Sequence, residues 1–107
     1  MALIVQKYGG TSVANPERIK NVARRIARFK AQGHQIVVVV SAMSGETNKL
    51  IALAREMQAQ PDPRELDAVV STGEQVTTGL LAMGLKAIGV DARSYTGGQV
   101  KVLTDNT

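Results

Sequence analysis

Ile36-Val37-Val38-Val39-Val40 constrains this chain more than any other segment. Every position is apolar and β-branched, so no residue is set aside for a solvent face. Such a run reads as a strand covered on both faces, the pattern of a parallel sheet. Leu3-Ile4-Val5, bounded by Gly9-Gly10, reads as a second buried strand. Between them, Asn15-Pro16 marks a helix start, with Asn as N-cap and Pro at the first helical position. Ile19, Val22, Ala23, Ile26 and Phe29 follow at helical spacing, Arg18, Arg24, Arg25 and Arg28 fall on the other side, and Gly33 is the expected stop. A helix is expected from about Glu46 to Gln58, with Leu50, Leu53, Ala54 and Met57 on one side. Pro61-Asp62-Pro63 ends it and opens the next segment. Leu66 to Val70 begins a further helical stretch that Gly73 is expected to interrupt or bend. Val76, Leu80, Met83 and Ala87 then form an apolar stripe ending near Gly89. Val90 to Ser94 and Val100 to Leu103 read as strands separated by Gly97-Gly98. Alternating strands and helices argue an α/β fold with a parallel sheet and right-handed crossovers.

Composition narrows the function classes. At 107 residues with 44% apolar content, the chain suits one domain and not a disordered segment. No apolar run reaches the ~20 residues of a membrane helix, and Met1 to Lys7 lacks the charged lead and cleavage site of a signal peptide. Zero cysteine excludes a disulfide scaffold, a thiolate metal site and a cysteine nucleophile. These features point to a soluble, cytoplasmic domain or a piece of one. The net charge is +4, and six of the thirteen basic residues fall between Arg18 and Lys30. The three aromatics, Tyr8, Phe29 and Tyr95, are too scattered for a base-stacking surface, which argues against nucleic acid. The lone His34 follows Gly33, has no neighbouring partner for base or metal chemistry, and suits the surface.

In α/β sheets ligands bind beyond the carboxyl ends of the strands, and three polar clusters fit that rule. Lys7-Tyr8-Gly9-Gly10-Thr11-Ser12 follows the first strand. Two glycines permit a sharp turn whose bare N–H groups form an anion-binding concavity, with Lys7 adding charge and Thr11 and Ser12 hydroxyls. The spacing is neither that of the P-loop nor that of GxGxxG. The same residues also suit a plain strand-to-helix turn. Ser41, Ser44, Thr47 and Asn48 follow the second strand and offer neutral hydrogen bonds at a helix start, where anions are favoured. Capping by Ser44 accounts for part of this cluster but not for Ser41. Ser71-Thr72-Gly73-Glu74-Gln75 places an acid beside glycine, suited to an amine or a metal. A Thr72 N-cap with Glu74 in the first turn is the simpler reading.

Taken in order, these segments resemble the signatures of aspartate kinases. Lys7-Tyr8-Gly9-Gly10-Thr11-Ser12-Val13 resembles the first motif of that family. Val40-Ser41-Ala42-Met43-Ser44-Gly45 with Thr47, Asn48 and Leu50 resembles the second, and Val70-Ser71-Thr72-Gly73-Glu74-Gln75-Val76 the third. Thr96-Gly97-Gly98-Gln99 is similar to the turn that follows in the lysine-pathway branch. The resemblance implies the amino-acid-kinase fold, a three-layer αβα sandwich around a mainly parallel sheet. It also implies transfer of the γ-phosphoryl of ATP to the side-chain carboxylate of L-aspartate, giving 4-phospho-L-aspartate on the route to lysine, methionine and threonine. Carried over residue by residue, Lys7 would contact the transferring phosphoryl, Gly9 and Gly10 would donate N–H groups to it, and Tyr8, Thr11 and Ser12 would complete the ATP phosphate-binding segment. Ser41, Thr47 and Glu74 would line the aspartate site.

The residue chemistry agrees. A carboxylate with a pKa of ~3.9 is already ionised at neutral pH, so the nucleophile needs no general base. Phosphoryl transfer mainly demands positioning and charge neutralisation. No protein metal site is expected, since Mg²⁺ arrives with ATP. The resemblance further implies a longer parent, a homo- or hetero-oligomer with a nucleotide-binding half and regulatory ACT domains. Nothing here matches those parts, so residues 1–107 read as the N-terminal part of a catalytic domain, ending without a cap at Asp105-Asn106-Thr107 and inactive alone. The competing readings are another kinase of the same fold, acting on glutamate, acetylglutamate or UMP, and a non-catalytic anion-binding module using the basic helix.

Overall fold

The computed structural model describes residues 2–103. The expected uncapped end at Asp105 to Thr107 lies outside them. Strand β1 (Leu3–Tyr8) leads through a 3₁₀ turn (Gly10–Val13) into α1 (Pro16–Ala31), and β2 (Gln35–Val40) into α2 (Glu46–Met57) and α3 (Pro63–Ala87). The strands β3 (Ala92–Tyr95) and β4 (Gln99–Val102) complete the described part. The sheet order is β1-β2-β4-β3.

The α/β class is as expected, and β1 pairs parallel to β2, with Tyr8 opposite Val40. The other two pairings, β2 with β4 and β4 with β3, are antiparallel. The parallel expectation therefore holds only for the first pair. Only three residues separate β3 from β4, far fewer than the dozen or more a parallel crossover needs. Gly97 and Gly98 take positive φ (80° and 74°) to close that turn.

Helix α1 begins as its sequence dictates, with the Asn15 side chain accepting from Arg18 N–H at 2.9 Å and Pro16 at the first position. Gly33, at φ 89°, follows its end. Ile19, Val22, Ala23 and Ile26 pack inward with Ile36, Val38 and Val40 of β2, Leu81 and Leu85 of α3, and Val100 and Val102 of β4. Burial of each large aliphatic side chain contributes ~1.5–3 kcal/mol. Ala23 meets Gly84 where α1 and α3 cross.

Both α1 and α3 lie on one face of the sheet. The register puts Ile4, Gln6 and Tyr8 on this face beside Ile36, Val38 and Val40. Leu3, Val5, Lys7, Val37 and Val39 share the other face, where Leu3 and Val5 are 65% and 66% exposed. The described residues thus form two layers of the expected sandwich. The five-residue apolar run is buried at alternate positions and half-buried at Val37 and Val39.

Helix α3 departs from expectation in two ways. It runs without interruption through Gly73 for 25 residues, capped by Asp62, whose side chain accepts from Glu65 N–H at 3.1 Å. Its buried side carries Thr77, Thr78, Leu81, Ala82 and Leu85, while Val76 and Met83 of the expected stripe are exposed. The helix is apolar on more than one side, so periodicity alone did not choose the inner one. The buried Thr77 hydroxyl donates to Gly73 C=O at 3.2 Å. Helix α2 buries none of its residues, and Leu53 and Met57 of its expected apolar side are exposed.

Candidate functional site

Parallel pairing makes β1 and β2 finish side by side, so the segments that follow them emerge together. Ser41 N–H donates to Tyr8 C=O at 3.2 Å. A Cβ on Gly9 would stand 3.3 Å from Ser41 Oγ, so glycine there admits the hydroxyl. Gly10 takes φ 55° and starts the 3₁₀ turn, which Ser12 N–H closes on Gly9 C=O at 3.1 Å. Among the described residues, the N–H groups of Gly9, Gly10 and Thr11 have no backbone acceptor. They are the donors that an anion at this turn would meet.

Strand β1 continues to Tyr8, so Lys7 and Tyr8 are strand residues and not part of the loop. Their side chains consequently leave opposite faces. Lys7 projects from the open face, exposed, with no hydrogen bond or ion pair among the described residues. Tyr8 turns toward the helices, where its hydroxyl donates to Gln6 Oε1 at 2.9 Å. Burial pushes the Tyr8 phenol above its ordinary pKa, while the nearby Arg25 charge pulls it down. Together with Ser12, Tyr8 lines a cleft formed with Arg18, Asn21, Val22 and Arg25 of α1.

The second and third clusters meet across a close contact. A Cβ on Gly73 would lie 2.9 Å from Ala42 Cβ and 3.5 Å from Leu50 Cδ1. Gly73 is thus the place where α3 passes the loop after β2, and not a helix break. Ser41 is half-buried, with Oγ donating to Ala42 C=O at 3.2 Å. Helix α2 is capped by Gly45 at φ 80°, without a side-chain hydrogen bond, so Ser44 is not its cap. Thr47 is exposed in the first turn of α2. Thr72 lies inside α3, its hydroxyl bonded to Val69 C=O at 2.7 Å. The capping reading of Thr72 and Glu74 therefore fails.

Glu74 is half-buried beside the β3–β4 turn and has no ion-pair partner among the described residues. A Cβ on Gly98 would stand 2.8 Å from Val40 C=O and 3.5 Å from Glu74 Oε2. Gly98 C=O accepts from Val40 N–H at 2.8 Å. Sequence reasoning did not select Gly98 as a site residue, although the paired glycines were its signal. The geometry joins Gly9 to Ser41, Ala42 to Gly73 and Gly98 to Glu74, all around the carboxyl end of β2. Bare N–H donors, a hydroxyl and an unpaired carboxylate there suit a ligand with both anionic and cationic groups.

No group of three or more His, Asp or Glu residues that would hold a metal occurs among the described residues. His34 is half-buried at the opposite end of β2, and among the described residues its Nδ1 has no hydrogen-bond partner. No described helix is long and apolar enough to cross a membrane.

The family model for the amino acid kinase family matches residues 2–106. An aspartate kinase of Stutzerimonas stutzeri is 64% identical over 106 residues, covering 99% of this chain and 26% of its own length. An aspartokinase of Pseudomonas aeruginosa is 62% identical over 106 residues, with the same coverage. The chain spans about a quarter of the length of these curated relatives. Among solved structures, an aspartate kinase from Synechocystis superposes with a TM-score of 0.84 at 49% identity, covering 87% of this chain and 16% of that one. Aspartokinase III of E. coli, solved in complex with aspartate and ADP, shares the fold at 22% identity and a TM-score of 0.71, covering 89% of this chain and 31% of that one.

Proposed function

The chain belongs to the amino acid kinase family, and from that premise we propose that it is the N-terminal part of the catalytic domain of an ATP-dependent aspartate kinase. The reaction moves the γ-phosphoryl of ATP to the side-chain carboxylate of L-aspartate, giving 4-phospho-L-aspartate and ADP. The observation that carries this reading is the meeting of the Gly9-Gly10 turn with the Ser41 loop at the ends of two parallel strands. The names of the relatives support the choice of acceptor.

The two sides of the site have different tasks. On the phosphoryl side, the N–H groups of Gly9 and Gly10, with that of Thr11 beside them, and the Lys7 ammonium face the equatorial oxygens. Such donors act most strongly where charge develops in the transition state. Tyr8 and Ser12 frame the turn through their main chains, by the bonds to Ser41 N–H and Gly9 C=O. On the acceptor side, Ser41 and Thr47 donate to substrate carboxylates, and Glu74 pairs with the substrate ammonium. The carboxylate nucleophile is ionised at neutral pH, and no general base is required. Mg²⁺, carried by the nucleotide phosphates, supplies neutralisation of their charge.

The parent enzyme carries its nucleotide-binding half, its regulatory domains and the cover of the open sheet face in the rest of its length. It works in the cytoplasm as a homo- or hetero-oligomer, with small molecules as ligands and neither nucleic acid nor membrane as partner. The test is a coupled ADP-release assay of the intact protein with aspartate, glutamate, acetylglutamate and UMP as acceptors. Turnover that depends on aspartate is expected. Turnover with another acceptor, and none with aspartate, overturns the reading.

A further inference from the structure

Behind the Gly9-Gly10 turn lies the cleft lined by Tyr8, Ser12, Arg18, Asn21, Val22 and Arg25, with a volume of about 170 Å³. Arg18 and Arg25 are seven residues apart, two helical turns, and so share one side of α1, with Asn21 between them. Neither guanidinium has an ion-pair partner among the described residues, and no carboxylate lines the cleft. The nearest acid on the helix, Glu17, is turned to Lys20 at 4.0 Å.

The remaining polar groups leave hydrogen-bond donors for the cleft. Asn21 Oδ1 accepts from the Arg24 guanidinium, which leaves its amide N–H groups for the cleft. The Tyr8 hydroxyl is spent on Gln6, so its ring acts as a wall. The Ser12 hydroxyl has no hydrogen bond among the described residues. The cleft therefore presents two forked cations, an amide donor and a hydroxyl, with no competing anion. Guanidinium forks match tetrahedral oxyanions in geometry and charge. We propose that this cleft is an oxyanion subsite, separate from the Gly9-Gly10 turn, that takes phosphate, free or as a monoester. It does not depend on the kinase reading, because none of its charged residues belongs to the proposed catalytic set.

The test is calorimetric titration of the intact protein, without nucleotide, at fixed ionic strength. Inorganic phosphate and glycerol phosphate are the two probes. Binding is expected to weaken at least tenfold in the double variant Arg18→Gln/Arg25→Gln and to persist in Lys7→Ala. Arg28→Gln, one turn beyond the cleft, controls for the general field of the helix and should weaken binding less than twofold. Arg25→Lys keeps the charge without the fork and should fall between. Binding of both probes assigns a monoester site, and binding of inorganic phosphate alone assigns the free ion. Loss in Lys7→Ala with retention in the double arginine variant would place phosphate at the glycine turn and overturn the proposal. Equal weakening by Arg28→Gln, or no binding of either probe, would overturn it as well.

Discussion

Gly98→Ala isolates the closest backbone approach in the site. The substitution adds one methyl group at φ 74°, 2.8 Å from Val40 C=O. Two costs follow. The left-handed conformation penalises a Cβ by about 1–2 kcal/mol. Contact with a main-chain oxygen cannot be relieved by a rotamer change, and overpacking of this kind costs about 1–3 kcal/mol. Gly97 supplies the control, since it has nearly the same φ, 80°, and nothing lies within 4 Å of the place a methyl group would take there. Gly97→Ala should therefore lose only the conformational part. Urea unfolding of both variants beside the wild type measures the difference, which is expected to be ~1–3 kcal/mol. The displaced turn should also disturb Glu74, whose Oε2 lies 3.5 Å from the added carbon. Gly98→Ala should raise KM for aspartate in the intact enzyme, and Gly97→Ala should leave it unchanged. Equal stabilities for the two variants would refute the argument that the turn is seated on the end of β2.

Lys7→Ala in the intact enzyme should lower kcat by ~10²–10³-fold with a small change in aspartate KM, as for loss of a charge that acts on the transferring group. Steady-state kinetics decides, and an unchanged kcat removes Lys7 from the mechanism. Glu74→Gln should cost ~2–4 kcal/mol in kcat/KM for aspartate, the range for breaking a desolvated charge pair, and leave KM for ATP in place. A lowered Tm with both KM values at wild type would mark Glu74 as structural. Thr47→Val, at an exposed position outside the cap of α2, should raise aspartate KM and barely move Tm. Tyr8 has a raised pKa caused by burial, so the unfolded chain releases that proton first and stability should fall as pH rises above 10. Tyr8→Phe should flatten that part of the pH–stability curve measured by denaturation.

What the sequence disclosed depended on how local each cause was. Helix α1 was legible because its cap, its proline and its apolar stripe all lie within its own residues. The meeting of Gly9 with Ser41 was legible at one remove, since two parallel strands place their following loops together. Gly73 was misread because a helical glycine and a helix break look alike until the neighbour, Ala42, is known. The antiparallel hairpin was hidden for a similar reason. Ala92-Arg93-Ser94-Tyr95 has too little alternation to announce its pairing. Ending β1 at Val5 concealed that Lys7 and Tyr8 serve opposite faces, and with that the cleft beside α1.

The lack of buried residues in α2 sets a gradient of local opening across the molecule. Amide hydrogen exchange should find β2 and the Thr77–Leu85 part of α3 most protected, because the core closes over them. The amides of α2 should exchange at lower opening free energy, since among the described residues its main packing contact is with α3. The Gly9-Gly10 turn is anchored to the protected sheet, whereas Thr47 rides on the helix expected to open first. An acceptor that bridges Thr47 and Glu74 would close that gap in protection, so slowed exchange in α2 alone would report aspartate binding without any turnover.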